Sequence, residues 1–166
     1  MKHLTLVRHA KSSHKSAMLS DVERPLNRRG ERDAPRMAGR LAARGATAEL
    51  LVSSPAERAL TTARLFADEL GYSQADIMVD DRLYFGHAGD IIQVVHDLDN
   101  AVDHVMLFGH NPDVTEFVNS FQGVAILNVP TCGVVELVFD VAGWGEVQRG
   151  DRVRMRFSYP KEDEHA

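Results

Sequence analysis

Two arginines and two histidines carry the chemistry legible in this sequence: Arg8 beside His9, Arg58, and His110. Each stands just past a short apolar run, where a strand would hand over to a helix. A guanidinium is a planar fork that matches phosphate oxygens two at a time. A neutral imidazole is a competent nucleophile at phosphorus near neutral pH. Brought together beside a helix N-terminus, these groups make a pocket for a tetrahedral dianion. No acidic cluster stands beside them to hold Mg²⁺, and the histidines lack a metal-ligand spacing, so neither a metal nor a cofactor is expected.

The elements that must position them follow from periodicity. His3–Val7 reads as a buried strand ending in Arg8-His9. Ala10–Glu23 is a polar loop, long enough to expect a role in function. Asn27 then caps a helix whose buried stripe is Ala34, Met37, Ala38, Leu41 and Ala42, closed by Gly45. Pro35 predicts either a bend there or a regular start near Asp33. Leu50–Val52 is a second strand. Ser54, Pro55 and Glu57 read as N-cap, first helical residue and capping box, which sets Arg58 in the first turn of the next helix. A cation there is badly placed against the helix dipole unless an anion is bound beside it. Gly71 ends that helix.

Asp76–Asp80 reads as a third strand and Asp90–Leu98 as a helix; His87 and His96 are surface or packing residues. His104–Phe108 is the clearest buried strand, followed by Gly109-His110-Asn111-Pro112, with Asn111 as cap and Pro112 as first helical residue. Gly133–Val141 and Arg152–Tyr159 predict an antiparallel C-terminal pair. The alternation gives an α/β fold, a three-layer α/β/α sandwich on a mostly parallel sheet with an antiparallel C-terminal strand or hairpin. In an open sheet of this kind, strand-to-helix junctions line one edge and hold the ligand. One domain over 1–160 is expected, with 161–166 as a charged tail.

Composition narrows the function further. Apolar content of 44% and charged content of 26% belong to a globular protein, and no apolar run is long enough to span a membrane. The N-terminus enters a strand directly, and the single Cys132 has no partner, which predicts a cytoplasmic location. Residues 1–64 hold 13 Lys and Arg against 6 Asp and Glu, and the remainder 6 against 18, so the N-terminal part suits an anionic ligand. The arginines from Arg28 to Arg44 lack interleaved aromatics and read as a solvated helix face, so neither nucleic acid nor membrane is expected as partner.

Four blocks in order then carry a family resemblance. They are Leu6-Val7-Arg8-His9-Ala10, Asp21-x-x-Arg24-Pro25-Leu26-Asn27-x-x-Gly30, Ser53-Ser54-Pro55-x-x-Arg58-Ala59-x-x-Thr62-Ala63, and Gly109-His110-Asn111-Pro112. Together they resemble the histidine phosphatase superfamily (phosphoglycerate mutase-like), with Ala10 where a Gly is usual. The short chain and Pro130-Thr131-Cys132-Gly133 are similar to its SixA-type phosphohistidine phosphatases. The resemblance implies that His9 attacks phosphorus and that Arg8, Arg58 and His110 bind the phosphoryl oxygens. It also implies a phosphohistidine-bearing protein as substrate and inorganic phosphate as product. Many members carry a Glu after the third strand as general acid. Here Leu83-Tyr84-Phe85-Gly86-His87 has no carboxylate, which leaves Asp21, Asp81 and His87 as candidates.

Rival readings are a phosphatase for small phosphomonoesters and a phosphoprotein-binding module without turnover. A cysteine-phosphatase loop is unsupported, since Val138 rather than Arg stands six residues after Cys132. No Gly-x-x-x-x-Gly-Lys loop is present for NTP hydrolysis.

Overall fold

The structure, a computed structural model, describes residues 1–86 and 88–161. His87 and the tail beyond Lys161 lie outside the described residues. Strands β1 (Lys2–Arg8), β2 (Leu50–Ser53), β3 (Met78–Val79), β4 (His104–Gly109), β5 (Val134–Phe139) and β6 (Arg154–Ser158) form one sheet in the order β3-β2-β4-β1-β5-β6. β1 to β4 are mutually parallel, and β5 and β6 add as the expected antiparallel pair.

β1 lies inside the sheet, and its side chains explain why. Leu4 and Leu6 enter the apolar layer formed with α4 (Ala88–His96) and α5 (Asp113–Asn119). Val7 enters the opposite layer with Met37, Ala38 and Leu41 of α1 (Arg28–Ala43) and Phe66 of α2 (Glu57–Leu70). A parallel strand with both faces covered needs this near-continuous apolar sequence. Trp144, in the β5–β6 connection, is fully buried and donates its indole N–H to the Val102 carbonyl at 2.9 Å.

Several boundaries differ from the expected ones. α1 begins at Arg28, capped by the Asn27 side chain on the Gly30 N–H, and runs through Pro35. Its regular part thus starts ahead of Asp33. α2 begins at Glu57, not Pro55, with Ala56 as its cap residue. The Ser54 hydroxyl is engaged by the Ala56 N–H and by His110, so it cannot serve as the N-cap that its sequence suggested. α5 begins at Asp113 after a cis Asn111–Pro112 bond, with Pro112 in the cap position. β3 is only two residues long, since Gln74–Asp76 takes a 3₁₀ turn instead. α3 (Arg82–Phe85) is a single turn after β3. Gly71 closes α2 at φ 71°, the left-handed conformation that a terminal glycine supplies.

Candidate functional site

The carboxyl ends of β1, β2 and β4 meet at one edge of the sheet. The ladder continues one step beyond β1, where the His9 N–H donates to the Gly109 carbonyl at 3.0 Å. Next door the Ser54 N–H donates to the Phe108 carbonyl at 3.0 Å. These bonds set His9 and His110 side by side, ring centroids 5.0 Å apart and tilted by 51°. Arg8, His9, Arg58 and His110, from three separate junctions, are therefore neighbours.

The hydrogen bonds fix the tautomer of His9 and give His110 a hydroxyl partner. His9 Nδ1 lies 2.7 Å from the Ala10 carbonyl, which only accepts, so Nδ1 carries the proton and Nε2 keeps a free lone pair. Burial first, then the Arg58 and Arg8 charges, pull its pKa down to about 4, which keeps the ring neutral at pH 7. His110 Nε2 lies 2.7 Å from the Ser54 hydroxyl. That oxygen also accepts the Ala56 N–H at 3.1 Å, which leaves it one lone pair and one proton with which to meet the ring. With the hydroxyl donating to Nε2, the ring proton sits on Nδ1. Burial, helped by His9 and Arg58, lowers the His110 pKa to about 3.

Each arginine is anchored at its tip and open along its side. Arg8 Nη1 donates to the Val129 carbonyl at 3.1 Å. Arg58 Nη1 donates to the Asp21 carbonyl at 2.7 Å and Nη2 to the Asp21 carboxylate at 3.0 Å. Arg8 Nε, Arg58 Nε and His110 Nδ1 are buried with no partner among the described residues, three of five such side-chain atoms. Orphaned buried donors each cost about 1–3 kcal/mol. Three such nitrogens beside a free imidazole lone pair form a site that an anion would complete.

A second ring of residues holds these four in place. The Thr62 hydroxyl donates to the Arg58 carbonyl at 2.7 Å and accepts the Ala10 N–H at 3.0 Å. Ala10 is fully buried there, so its methyl group fits the space where the family resemblance led to the expectation of glycine. The loop after Ala10 folds back on the segment before α1, with the Asn27 N–H donating to the Lys11 carbonyl at 3.0 Å. A Cβ on Gly30 would stand 2.2 Å from that carbonyl, so only glycine fits. The Cys132 N–H reaches the Arg8 and His9 carbonyls at 3.0 Å from a left-handed residue at φ 59°. Its thiol is buried and its pKa pushed well up by that burial, unsuited to nucleophilic attack.

The candidate acids resolve differently. Asp21 stands at the site, but its carboxylate accepts from the Tyr84 phenol, from Arg58 and from Arg24. The Tyr84 bond first, then Arg58, hold its carboxyl far below the usual carboxylate range, so it stays ionised and has no proton to give. Asp81 is exposed at the start of α3, and its carboxylate makes no hydrogen bond or ion pair among the described residues. His87 lies outside the described residues. Sequence reasoning missed Ser54, Thr62 and Tyr84 as site-forming residues. The Tyr84 ring packs edge-on to His110 at 5.4 Å and lies 5.9 Å from the Arg58 guanidinium carbon. Among the described residues no group of three or more His, Cys, Asp or Glu is arranged to hold a metal ion.

Comparison with known proteins gives the family and the fold. The model of the histidine phosphatase superfamily (branch 1) matches residues 4–97. No curated protein matches the chain. A solved structure described as the putative phosphohistidine phosphatase SixA from Agrobacterium tumefaciens is 26% identical, with TM-score 0.79 over 96% of this chain and 98% of that one. A protein histidine phosphatase SixA complexed with tungstate is 23% identical, with TM-score 0.80 over 95% and 97%. A mycobacterial glucosyl-3-phosphoglycerate phosphatase complexed with VO3 is 16% identical, with TM-score 0.68 over 96% and 98%. The last two likenesses are likenesses of fold.

Proposed function

This chain belongs to the histidine phosphatase superfamily, and we propose that it is a metal-independent phosphatase that removes the phosphoryl group from phosphohistidine on a protein, through a covalent intermediate on His9. The observation that carries this reading is the free Nε2 lone pair of His9 beside the three unpartnered donors of Arg8, Arg58 and His110.

The chemistry balances without an added acid. His9 Nε2 attacks phosphorus as the substrate's P–N bond breaks. The departing imidazole carries a proton on its other nitrogen and leaves neutral. The phosphorylated His9 ring now bears the positive charge, shared with the Nδ1–H that donates to Ala10. Arg8 Nε, Arg58 Nε and His110 Nδ1–H hold the phosphoryl oxygens as charge builds on them. Water then attacks phosphorus as the P–N bond to His9 breaks, both water protons stay with the phosphate as dihydrogen phosphate, and His9 leaves neutral with Nδ1–H still on the Ala10 carbonyl. Product is inorganic phosphate.

Asp21 supports the choice of P–N over P–O substrates. An alkyl ester expels an alkoxide, which requires a proton. The carboxyl nearest the site is locked in its ionised form by Tyr84 and Arg58. The test is kcat/KM on one preparation for a phosphohistidine peptide, an activated aryl phosphate and a sugar phosphate, with excess chelator. The expected order is that order, unaffected by chelation. A sugar phosphate as best substrate, or loss of activity on chelation, would overturn the substrate or the metal-independence assignment respectively.

A further inference from the structure

A second cationic recess lies at the end of the sheet away from the phosphoryl pocket. It is a cavity of about 570 Å³ over β1, β4, β5 and β6, beside the residues that follow α1. Its floor is set by strand register. One row across the four strands is Arg154–Val138–His3–His104, and the next is Arg156–Glu136–Thr5–Met106. The His3 and His104 rings stack at 4.3 Å and 15°. Arg44 enters from the end of α1 and pairs with Glu136.

Charge is unbalanced in this recess. Glu136 is the only carboxylate lining it, against the guanidiniums of Arg44, Arg154 and Arg156. Arg156 has no ion pair or hydrogen bond among the described residues, and the Arg154 guanidinium donates to the Met1 sulfur at 3.5 Å. The whole chain carries a formal charge of -5, so cations are not gathered here by a general excess of them. Like charges collected in a concave site raise the local concentration of anions.

The spacing selects the kind of anion. Arg154 and Arg156 stand two residues apart on one face of a strand, about 7 Å, more than one phosphate spans. The stacked imidazoles of His3 and His104 line the same recess on β1 and β4, across β5 from the arginines. The volume is of the size that holds a small organic ligand, not a lone ion. His3 is five residues before Arg8 along β1, about 16 Å, so one small ligand cannot fill both sites. We propose that this recess is a second anion site, separate from the phosphoryl pocket, and that it binds an oligophosphate of two or three phosphoryl groups, free or as the tail of a nucleotide.

The experiment is titration with tripolyphosphate, ATP and inorganic phosphate, followed by calorimetry and by the histidine ring signals in NMR. Tripolyphosphate is expected to move the His3 and His104 signals and to bind more tightly than inorganic phosphate. Arg154→Ala/Arg156→Ala is expected to weaken it by about tenfold or more, as loss of two charge-assisted contacts should. Arg58→Ala is expected to leave these shifts unchanged. ATP equal to tripolyphosphate identifies the phosphate chain alone as the ligand; tighter ATP identifies a nucleotide; both support the site. Both arginines are exposed on the edge strand, so the double variant should melt like the native protein, which a thermal scan checks. Shifts confined to His9 and His110, or equal affinity in the double variant, would overturn the proposal.

Discussion

Asp21 grips Arg58 twice, by its backbone carbonyl at 2.7 Å and by its carboxylate at 3.0 Å, and so aims the guanidinium rather than supplying a proton. This yields a sharp prediction. Asp21→Asn should lower kcat by about tenfold, the scale of a misaimed catalytic group, and by the same factor for phosphohistidine and aryl phosphate substrates. An acid would behave differently: its loss would fall on the substrate with the poorer leaving group. Selective loss on the ester would show that Asp21 donates a proton after all.

Thr62 ties the His9 loop to the first turn of α2 through Ala10 and Arg58. Thr62→Val keeps the shape and removes both bonds, leaving the buried Ala10 N–H unpaired. The expected cost is about 1–3 kcal/mol of stability by chemical denaturation, together with a fall in kcat. A variant as stable and as active as the native protein would show that the tie is dispensable.

That Arg8, His9, Arg58 and His110 would meet at one edge was legible in the sequence because each ends an apolar run or opens a helix. His9 and His110 end neighbouring strands, and Arg58 opens α2. Their supports were not legible, for a physical reason. Ser54 has the local signature of an N-cap, but its hydroxyl is engaged by a histidine 56 positions away. Tyr84 and Asp21 are 63 residues apart and meet only because β3 and the turn before α1 converge on the same edge. The motif around Gly30 was visible, but its cause, the Lys11 carbonyl that a side chain would strike, needs coordinates. The strand pattern gave the antiparallel C-terminal pair correctly, while β3 proved shorter because its first residues turn.

Buried neutral histidines give a signed pH dependence. Unfolded, His9 and His110 titrate near pH 6.5; folded, they titrate near 4 and 3. Between these values the unfolded chain binds more protons, so their contribution is complete above about pH 6.5 and is lost as pH falls toward 4. Thermal unfolding from pH 7 to 4.5 should show Tm falling, and less steeply in His9→Gln. In the same range kcat/KM for an aryl phosphate should keep its value down to about pH 5, because His9 remains unprotonated. A rate that halves near pH 6.5 would mean that His9 is not shifted.

The most direct test of the account is to trap the phosphoryl group. Mixing the native protein with a phosphohistidine peptide labelled in its phosphoryl group, quenching within milliseconds under alkaline conditions and mapping the fragments should place the label on His9. His9→Ala should carry none and lose turnover, while His110→Ala should lose turnover but still accumulate some label on His9. Label on another residue, or near-native turnover by His9→Ala, would contradict the covalent mechanism.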